Sequence, residues 1–67
     1  MAKGTIKRLI SEKRSGFIRT LKRGDVFFDF NQLQGLEFSS LKEGQPVELE
    51  LGQDGKGRLQ AMRVRPL

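Results

Sequence analysis

Apolar and polar side chains alternate along several short segments of this chain, and Gly or Pro residues separate the segments at intervals of about 8 to 12 residues. Alternation with a period of two is typical of a β-strand that has one buried and one exposed face. No segment supports a helix of about ten residues or more. The pattern predicts an all-β fold, a small sandwich or barrel, with five strands: Gly4–Ile10, Ser15–Leu21, Asp25–Phe30, Pro46–Leu51 and Leu59–Arg65.

The connections between the predicted strands differ in length. The segment Lys22-Arg23-Gly24 is a turn signal, so the second and third strands are expected to form a hairpin. The connection between the third and fourth strands runs over Asn31–Gln45 and contains two glycines, Gly35 and Gly44. It has room for a single helical turn, which we place around Gln32–Leu36.

The side chains that share one face of each predicted strand form the candidate core. Successive residues of a strand point to opposite faces, so apolar residues at every second position mark the buried side. On the fifth strand this rule places Met62 and Val64 on one face, with Arg63 and Arg65 on the other. The predicted core consists of Ile6, Ile18, Val26, Phe28, Val47, Leu49 and Val64.

Two phenylalanines, Phe17 and Phe27, are left on the outer face of the predicted hairpin, together with Arg19, Asp25 and Asp29. They could simply pack against each other across the strands, which stabilises a sheet by about 0.2–1 kcal/mol. They could instead form a surface on which nucleobases stack, at about 1–3 kcal/mol per base. The basic residues nearby favour base stacking, but position alone supports both interpretations equally.

The charge of the chain is strongly positive and unevenly distributed. Thirteen Lys and Arg residues against eight Asp and Glu give a net charge of +5 in 67 residues, with a pI near 10.3. Residues 1–24 contain eight basic side chains and one acid, residues 25–54 contain seven acids and one lysine, and residues 55–67 contain four basic side chains and no acid. A basic domain of this size is expected to bind an anionic partner. If the two ends lie close together, they form a basic face beside an acidic one.

The composition excludes several functional classes. The chain has no Cys and no His, which removes disulfides, thiolate chemistry, the usual zinc sites and a histidine general base. We therefore expect a single domain over residues 1–67 that is not an enzyme and has no cofactor or metal. No apolar stretch is long enough for a membrane helix, and no apolar segment follows Met1 as in a secretory signal. These features predict a cytoplasmic protein that does not bind membranes, with a monomer as the default.

Along essentially its whole length the chain resembles the bacterial cold-shock proteins. The matching segments occur in the order and at the spacing of that family: Lys3-Gly4-Thr5-Ile6-Lys7, Glu12-Lys13, Gly16-Phe17-Ile18, Asp25-Val26-Phe27, Phe30, Phe38, Leu41-Lys42-Glu43-Gly44-Gln45, Gln60-Ala61 and Val64-Arg65-Pro66-Leu67. The resemblance implies a five-stranded antiparallel barrel of the oligonucleotide-binding (OB) class. It also implies sequence-tolerant binding of single-stranded RNA or DNA on the face of strands one to three.

At three positions the chain lacks an aromatic ring that the family pattern usually has. The first ribonucleoprotein motif usually reads Lys-Gly-Phe-Gly-Phe-Ile, but here Ser15 stands at its first Phe. The second motif usually reads Val-Phe-Val-His-Phe, and here Asp29 replaces the His. Phe28 replaces the second Val of this motif, and we expect its side chain in the core. Arg8 follows Lys7 where the family usually has Trp. Each missing ring removes about 1–3 kcal/mol of stacking, so we expect binding that is weaker and more salt-dependent than is usual in the family.

The remaining side chains define the expected nucleic-acid site. Base stacking is expected from Phe17, Phe27, Phe30 and Phe38, and phosphate contacts from Lys7, Lys13, Arg14, Arg19 and Arg58. Arg8 can do either, because a guanidinium plane stacks on bases and also pairs with phosphate. Asp29 could accept a hydrogen bond from a base amino group, or it could pair with a neighbouring Lys or Arg, which is the simpler interpretation.

Two functions from different classes follow from these residues. The first is a protein that binds single-stranded RNA or DNA, acting as an RNA chaperone or as a regulator of transcription or translation. The second is a protein-interaction module on the same OB fold that has lost part of its nucleic-acid site and uses an acidic face to bind a basic partner. Substitution of Phe17 and Phe27 by Ala distinguishes them, because only the first function requires these rings.

Overall fold

Five β-strands close into a barrel in the computed structural model, which describes residues 2–67. The strands are β1 (Ala2–Ile10), β2 (Ser15–Thr20), β3 (Gly24–Asp29), β4 (Pro46–Gln53) and β5 (Leu59–Pro66). Three short 3-10 helices lie between them, at Ser11–Lys13, Phe30–Gln32 and Phe38–Ser40. The predicted all-β, five-stranded barrel is confirmed. Among the described residues, no helix is long and apolar enough to span a membrane.

The strands follow one another around the barrel in the order β1-β2-β3-β5-β4, and β4 pairs with β1 to close it. All pairings are antiparallel except that of β3 with β5, which is parallel and consists of the pair Phe27 and Gln60. Strand directions cannot alternate all the way around a closed ring of five, so at least one neighbouring pair must be parallel.

The predicted helical turn around Gln32–Leu36 is wrong. Leu33 forms an isolated parallel bridge with Val64, and the Gln34 N–H donates to the Val64 carbonyl at 2.8 Å, which holds this stretch extended against β5. The helical turns lie on either side of it instead. The first begins directly after β3, at Phe30, so the predicted third strand ends one residue earlier than expected.

All seven predicted core residues are buried, and Leu41 and Ala61 join them. Ala61 was missed because β5 contains a β-bulge. Arg63 has a positive φ of 49°, and two residues of β5, Arg63 and Val64, stand opposite the single residue Leu49 of β4. The bulge shifts the alternation, so the expected pairing of Met62 with Val64 on one face is wrong. Ala61 and Val64 are fully buried, whereas Met62 is only partly buried.

Candidate nucleic-acid interface

A cation and two aromatic rings form a row across the outer face of three neighbouring strands. Arg8 of β1 stands opposite Phe17 of β2, which stands opposite Phe27 of β3. The two rings meet edge to face, with centroids 5.8 Å apart and planes inclined by 73°. Phe27 is 38% exposed, Phe17 is half-buried and Arg8 is exposed. The rings therefore pack on each other and still present apolar surface to solvent.

Arg8 reaches this row because β1 contains a β-bulge at Lys7. Ile6 pairs with Ile18 and Arg8 pairs with the next residue of β2, Phe17, so Lys7 has no partner of its own. Ile6 is buried, and strict alternation would point Arg8 into the barrel. The extra residue moves Arg8 back to the outside, so that Lys7 and Arg8 are both exposed on the outer face.

Two of the predicted phosphate-binding cations already have acidic partners. Lys7 Nζ lies 2.6 Å from Asp25 Oδ2, and both side chains are well exposed. Arg58 Nε lies 3.5 Å from Asp54 Oδ2 in the loop between β4 and β5. Exposed pairs of this kind contribute about 0–1 kcal/mol, so a phosphate group can replace the carboxylate at little cost. Among the described residues, no ion pair involves Arg8, Lys13, Arg14 or Arg19.

The loop between β4 and β5 is organised by Asp54. Its Oδ1 accepts the backbone N–H groups of Lys56 at 2.8 Å and of Arg58 at 2.9 Å. These backbone hydrogen bonds are the main cause of a lowered Asp54 pKa, and the charges of Arg58 and Lys56 add to the effect. The carboxylate therefore stays ionised and holds Arg58 beside a cleft on the outer face of the barrel. This first cleft is lined by Phe17, Asp25, Phe27, Asp54, Arg58 and Leu59.

A second cleft contains the other two predicted stacking residues. Phe30 and Phe38 begin the two 3-10 helices that follow β3, and the cleft between them is lined by Arg14, Phe30, Leu33, Leu36, Glu37, Phe38 and Ser39. Arg14 has a left-handed backbone (φ 48°), and its guanidinium carbon lies 5.9 Å from the Phe30 ring centroid. Phe30 is 46% exposed, while Phe38 is half-buried against the core. The four rings thus divide between two clefts.

Asp29 lies at the end of β3, between the Phe27 and Phe30 positions. It stands opposite Ser15 of β2, and its Oδ1 accepts the backbone N–H of Asn31 at 3.0 Å, which caps the 3-10 helix Phe30–Gln32. The expected ion pair with a neighbouring Lys or Arg is not formed within residues 2–67.

The structure brings most of the predicted site together and adds residues that the sequence analysis missed. Lys13 ends the 3-10 helix before β2, and Arg19 stands opposite Asp25 on the same face as the aromatic row. Leu59, which is 37% exposed in the first cleft, was missed. Its one sequence signal is that it follows Arg58 at the start of a strand. In the part of the chain that the structure describes, no acidic cluster could hold a metal ion.

A family model, two curated relatives and a solved structure each match nearly the whole chain. The family model described as the 'Cold-shock' DNA-binding domain matches residues 2–67. "Probable cold shock protein A" of Mycolicibacterium smegmatis is 43% identical over 68 residues, and "Cold shock-like protein CspLB" of Listeria monocytogenes is 42% identical over 67; each alignment covers all of both chains. The solved structure of Drosophila Unr CSD456 superposes with a TM-score of 0.77 at 30% identity, covering 98% of this chain and 26% of that longer one.

Proposed function

The chain belongs to the cold-shock domain family, and on that premise we propose that it binds single-stranded RNA or DNA across the outer face of β1, β2 and β3. The observation that carries this proposal is the exposed row of Arg8, Phe17 and Phe27 on three neighbouring strands. Every nucleobase has a flat apolar face, so such rings bind single strands with little sequence preference. Bases paired inside a duplex cannot reach the rings, which favours the open strand.

The two clefts offer places for successive bases, with cations beside each. A base in the first cleft contacts Phe17 or Phe27 near Arg58, and a base in the second contacts Phe30 or Phe38 near Arg14. Lys13 and Arg19 carry further positive charge close to this path. The strand thus gains apolar contact through its bases and charge neutralisation through its phosphates.

We expect this binding to be weaker than is usual in the family. Arg8, Ser15 and Asp29 replace three rings, and among them Arg8 is the residue that still offers a flat surface to a base. Asp29 adds a negative charge that repels phosphate. Lys7 and Arg58 must also exchange a carboxylate for a phosphate before they contribute fully. Electrostatic contacts therefore carry a larger share of the binding energy.

Preference for the open strand suggests how the protein acts on RNA. A protein that binds single strands and not duplexes shifts the equilibrium of a hairpin toward its open form by mass action. We propose an RNA chaperone, or a regulator of transcription or translation, as the role that follows from this property.

The alternative, a protein-interaction module, requires an exposed acidic face, and β4, the strand with two glutamates, offers little support for one. Glu48 and Glu50 are the acids of β4, and each has a basic residue of β5 beside it. Glu50 Oε2 lies 3.5 Å from Arg63 Nε, and Glu48 stands opposite Arg65. Because the acids of β4 are balanced in this way, we favour nucleic-acid binding.

Removal of one ring from the row tests the proposal. Phe17→Ala and Phe27→Ala are each expected to raise the Kd for U-rich and T-rich heptamers by about 5- to 150-fold, which corresponds to about 1–3 kcal/mol of lost stacking. The measurement is fluorescence anisotropy with the label on the oligonucleotide, since the chain has no Trp or Tyr.

Leu21→Ala is the matched control for loss of an exposed apolar side chain. Leu21 is fully exposed in the turn between β2 and β3 and lines neither cleft, so its removal should leave the Kd unchanged. Circular dichroism checks that the variants remain folded, since loss of a cross-strand pair costs only about 0.2–1 kcal/mol. Equal binding by the wild type and both Phe variants would contradict the proposal, as would no binding by the wild type at low salt.

A further inference from the structure

We infer that Asp29 makes this interface favour bases that carry an exocyclic amino group, such as cytosine, over uracil and thymine. Because the site is the one proposed above, this preference depends on the proposed function being right. Three features of Asp29 support it: its position between the two clefts, the hydrogen bond that holds its carboxylate, and the lack of an ion pair with any described residue.

Asp29 lies where the edge of a stacked base can reach it. It shares the outer face of β3 with Phe27, two residues and about 7 Å away along the strand. The next residue in the other direction is Phe30, which lines the second cleft. A base stacked on either ring points its hydrogen-bonding edge across the surface, and Asp29 lies between Phe27 and Phe30 along the chain.

One oxygen of the Asp29 carboxylate is fixed and the other remains available. Oδ1 accepts the N–H of Asn31 at 3.0 Å, and this capping bond limits how the side chain can rotate. No hydrogen bond or ion pair within residues 2–67 engages Oδ2. The side chain is half-buried, so the free oxygen is oriented in part by its surroundings.

Asp29 differs in this respect from Asp25 and Asp54, the two carboxylates that line the first cleft. Asp25 is paired with Lys7 at 2.6 Å. Asp54 is engaged by two backbone N–H groups and by Arg58. Of these three acids, Asp29 is the one that forms no ion pair within residues 2–67, and its Oδ2 is free to accept a hydrogen bond from a ligand.

A carboxylate that only accepts hydrogen bonds discriminates between bases. Cytosine presents its N4 amino group as a donor, and adenine and guanine present N6 and N2 amino groups. Uracil and thymine place carbonyl oxygens on both sides of their single N3–H donor, so an approaching carboxylate meets two acceptors. The free oxygen of Asp29 therefore attracts amino-bearing bases and repels uracil and thymine.

Heptamers of deoxycytidine and deoxyuridine provide the closest comparison, because their bases differ only along the edge that Asp29 would contact. We expect the wild-type protein to bind the deoxycytidine heptamer about 5- to 10-fold more tightly at neutral pH, which is the low end of the discrimination given by a base-edge hydrogen bond. Fluorescence anisotropy with a label on the oligonucleotide measures both Kd values.

The Asp29→Asn variant distinguishes recognition of the base by Asp29 from its capping of the 3-10 helix Phe30–Gln32. An Asn side chain keeps the oxygen that caps the Asn31 N–H, and this bond forces its amide nitrogen into the place of the free Oδ2. That nitrogen donates, so the ratio of the two Kd values should fall to one or reverse toward deoxyuridine.

Glu12→Gln is the control for loss of a negative charge. Glu12 lies in the 3-10 helix Ser11–Lys13 and lines neither cleft. The substitution should tighten binding of both heptamers equally and leave the ratio unchanged.

The possible results separate this inference from the proposed function. If the wild type binds neither heptamer at low salt, the proposed function is wrong, and the base preference with it. If the wild type binds both with equal Kd, the function stands and the role of Asp29 is overturned. A cytosine preference that persists in Asp29→Asn also overturns it, since another group would then read the base. Preference in the wild type that disappears or reverses in Asp29→Asn supports it.

Discussion

At the scale of single residues, two buried hydroxyl groups of β2 differ in their hydrogen bonding. Thr20 donates through Oγ1 to the Gly24 carbonyl at 2.9 Å and accepts the Arg23 N–H at 3.0 Å, so it stabilises the turn into β3. Ser15 Oγ is equally inaccessible, yet it has no hydrogen-bond partner among the described residues. A buried hydroxyl without a partner costs about 1–3 kcal/mol. Ser15, which stands where the family usually has a Phe, therefore lowers the stability of the fold.

Removal of these hydroxyls should have opposite effects. Ser15→Ala is expected to raise the free energy of unfolding by about 1 kcal/mol, because it deletes a desolvated group that gains nothing in return. Thr20→Val keeps the shape of the side chain and loses both hydrogen bonds, so it should lower that free energy by about 1–2 kcal/mol. Urea unfolding followed by circular dichroism measures both. A destabilised Ser15→Ala would show that the hydroxyl has a partner after all.

At the scale of elements, the junction of β1 and β2 depends on a glycine. Gly16 stands opposite Leu9, and a Cβ at this position would collide with the carbonyl oxygen of Arg8 and lie 3.0 Å from the Phe28 ring. The close approach lies next to the β-bulge at Lys7, where the register between β1 and β2 shifts by one residue. Gly16 therefore lets the core ring of Phe28 and the outward-facing Arg8 occupy adjacent positions.

Gly16→Ala is expected to lower the free energy of unfolding by about 1–3 kcal/mol, the usual cost of forcing an extra methyl group into a packed region. Gly55→Ala, in the loop between β4 and β5, is its matched control. A Cβ there meets nothing within 4 Å, and Gly55 is absent from the positive-φ residues. Its stability should change by less than about 0.5 kcal/mol. If the two variants have equal free energies of unfolding, then β1 and β2 can move apart to accommodate the added methyl group without loss of stability.

At the scale of the whole molecule, the barrel mixes the charges that the chain keeps apart. The basic terminal segments were expected to form one basic face beside an acidic one if the two ends of the chain lay close together. Instead β4, which carries Glu48 and Glu50, lies between β1 and β5 in the barrel. Four cations that form no ion pair among the described residues lie on or beside the β1–β3 face: Arg8, Lys13, Arg14 and Arg19.

The salt dependence of binding reports on those four cations. For single strands, a plot of log Kd against log salt concentration rises with a slope of about 0.7 for each phosphate that the protein neutralises. If each of the four cations holds one phosphate, we expect a slope of about three. Arg14→Gln should lower the slope by about 0.7. Lys22→Gln, at the β2–β3 turn outside both clefts, should leave it unchanged. Equal slopes for the two variants would contradict a phosphate contact by Arg14.

The sequence by itself determined which segments are strands and which side chains fill the core. Both follow from a period-two pattern that each strand carries locally, so the five strands and the seven predicted core residues were correct. The pairing of Phe17 with Phe27 was also predictable, because a short turn joins their strands and sets the register.

Only the tertiary structure decided the features that depend on residues far apart in the sequence. The bulges at Lys7 and Arg63 put Arg8 outside and Ala61 inside, and local alternation contains no sign of either. The bridge from Leu33 to Val64 moved the helical turn to Phe30, where Asp29 caps it. Closure of the barrel sets β4 between two basic strands and fixes which charges pair. Each of these depends on which strands meet, and that is settled only when the ring of five strands closes.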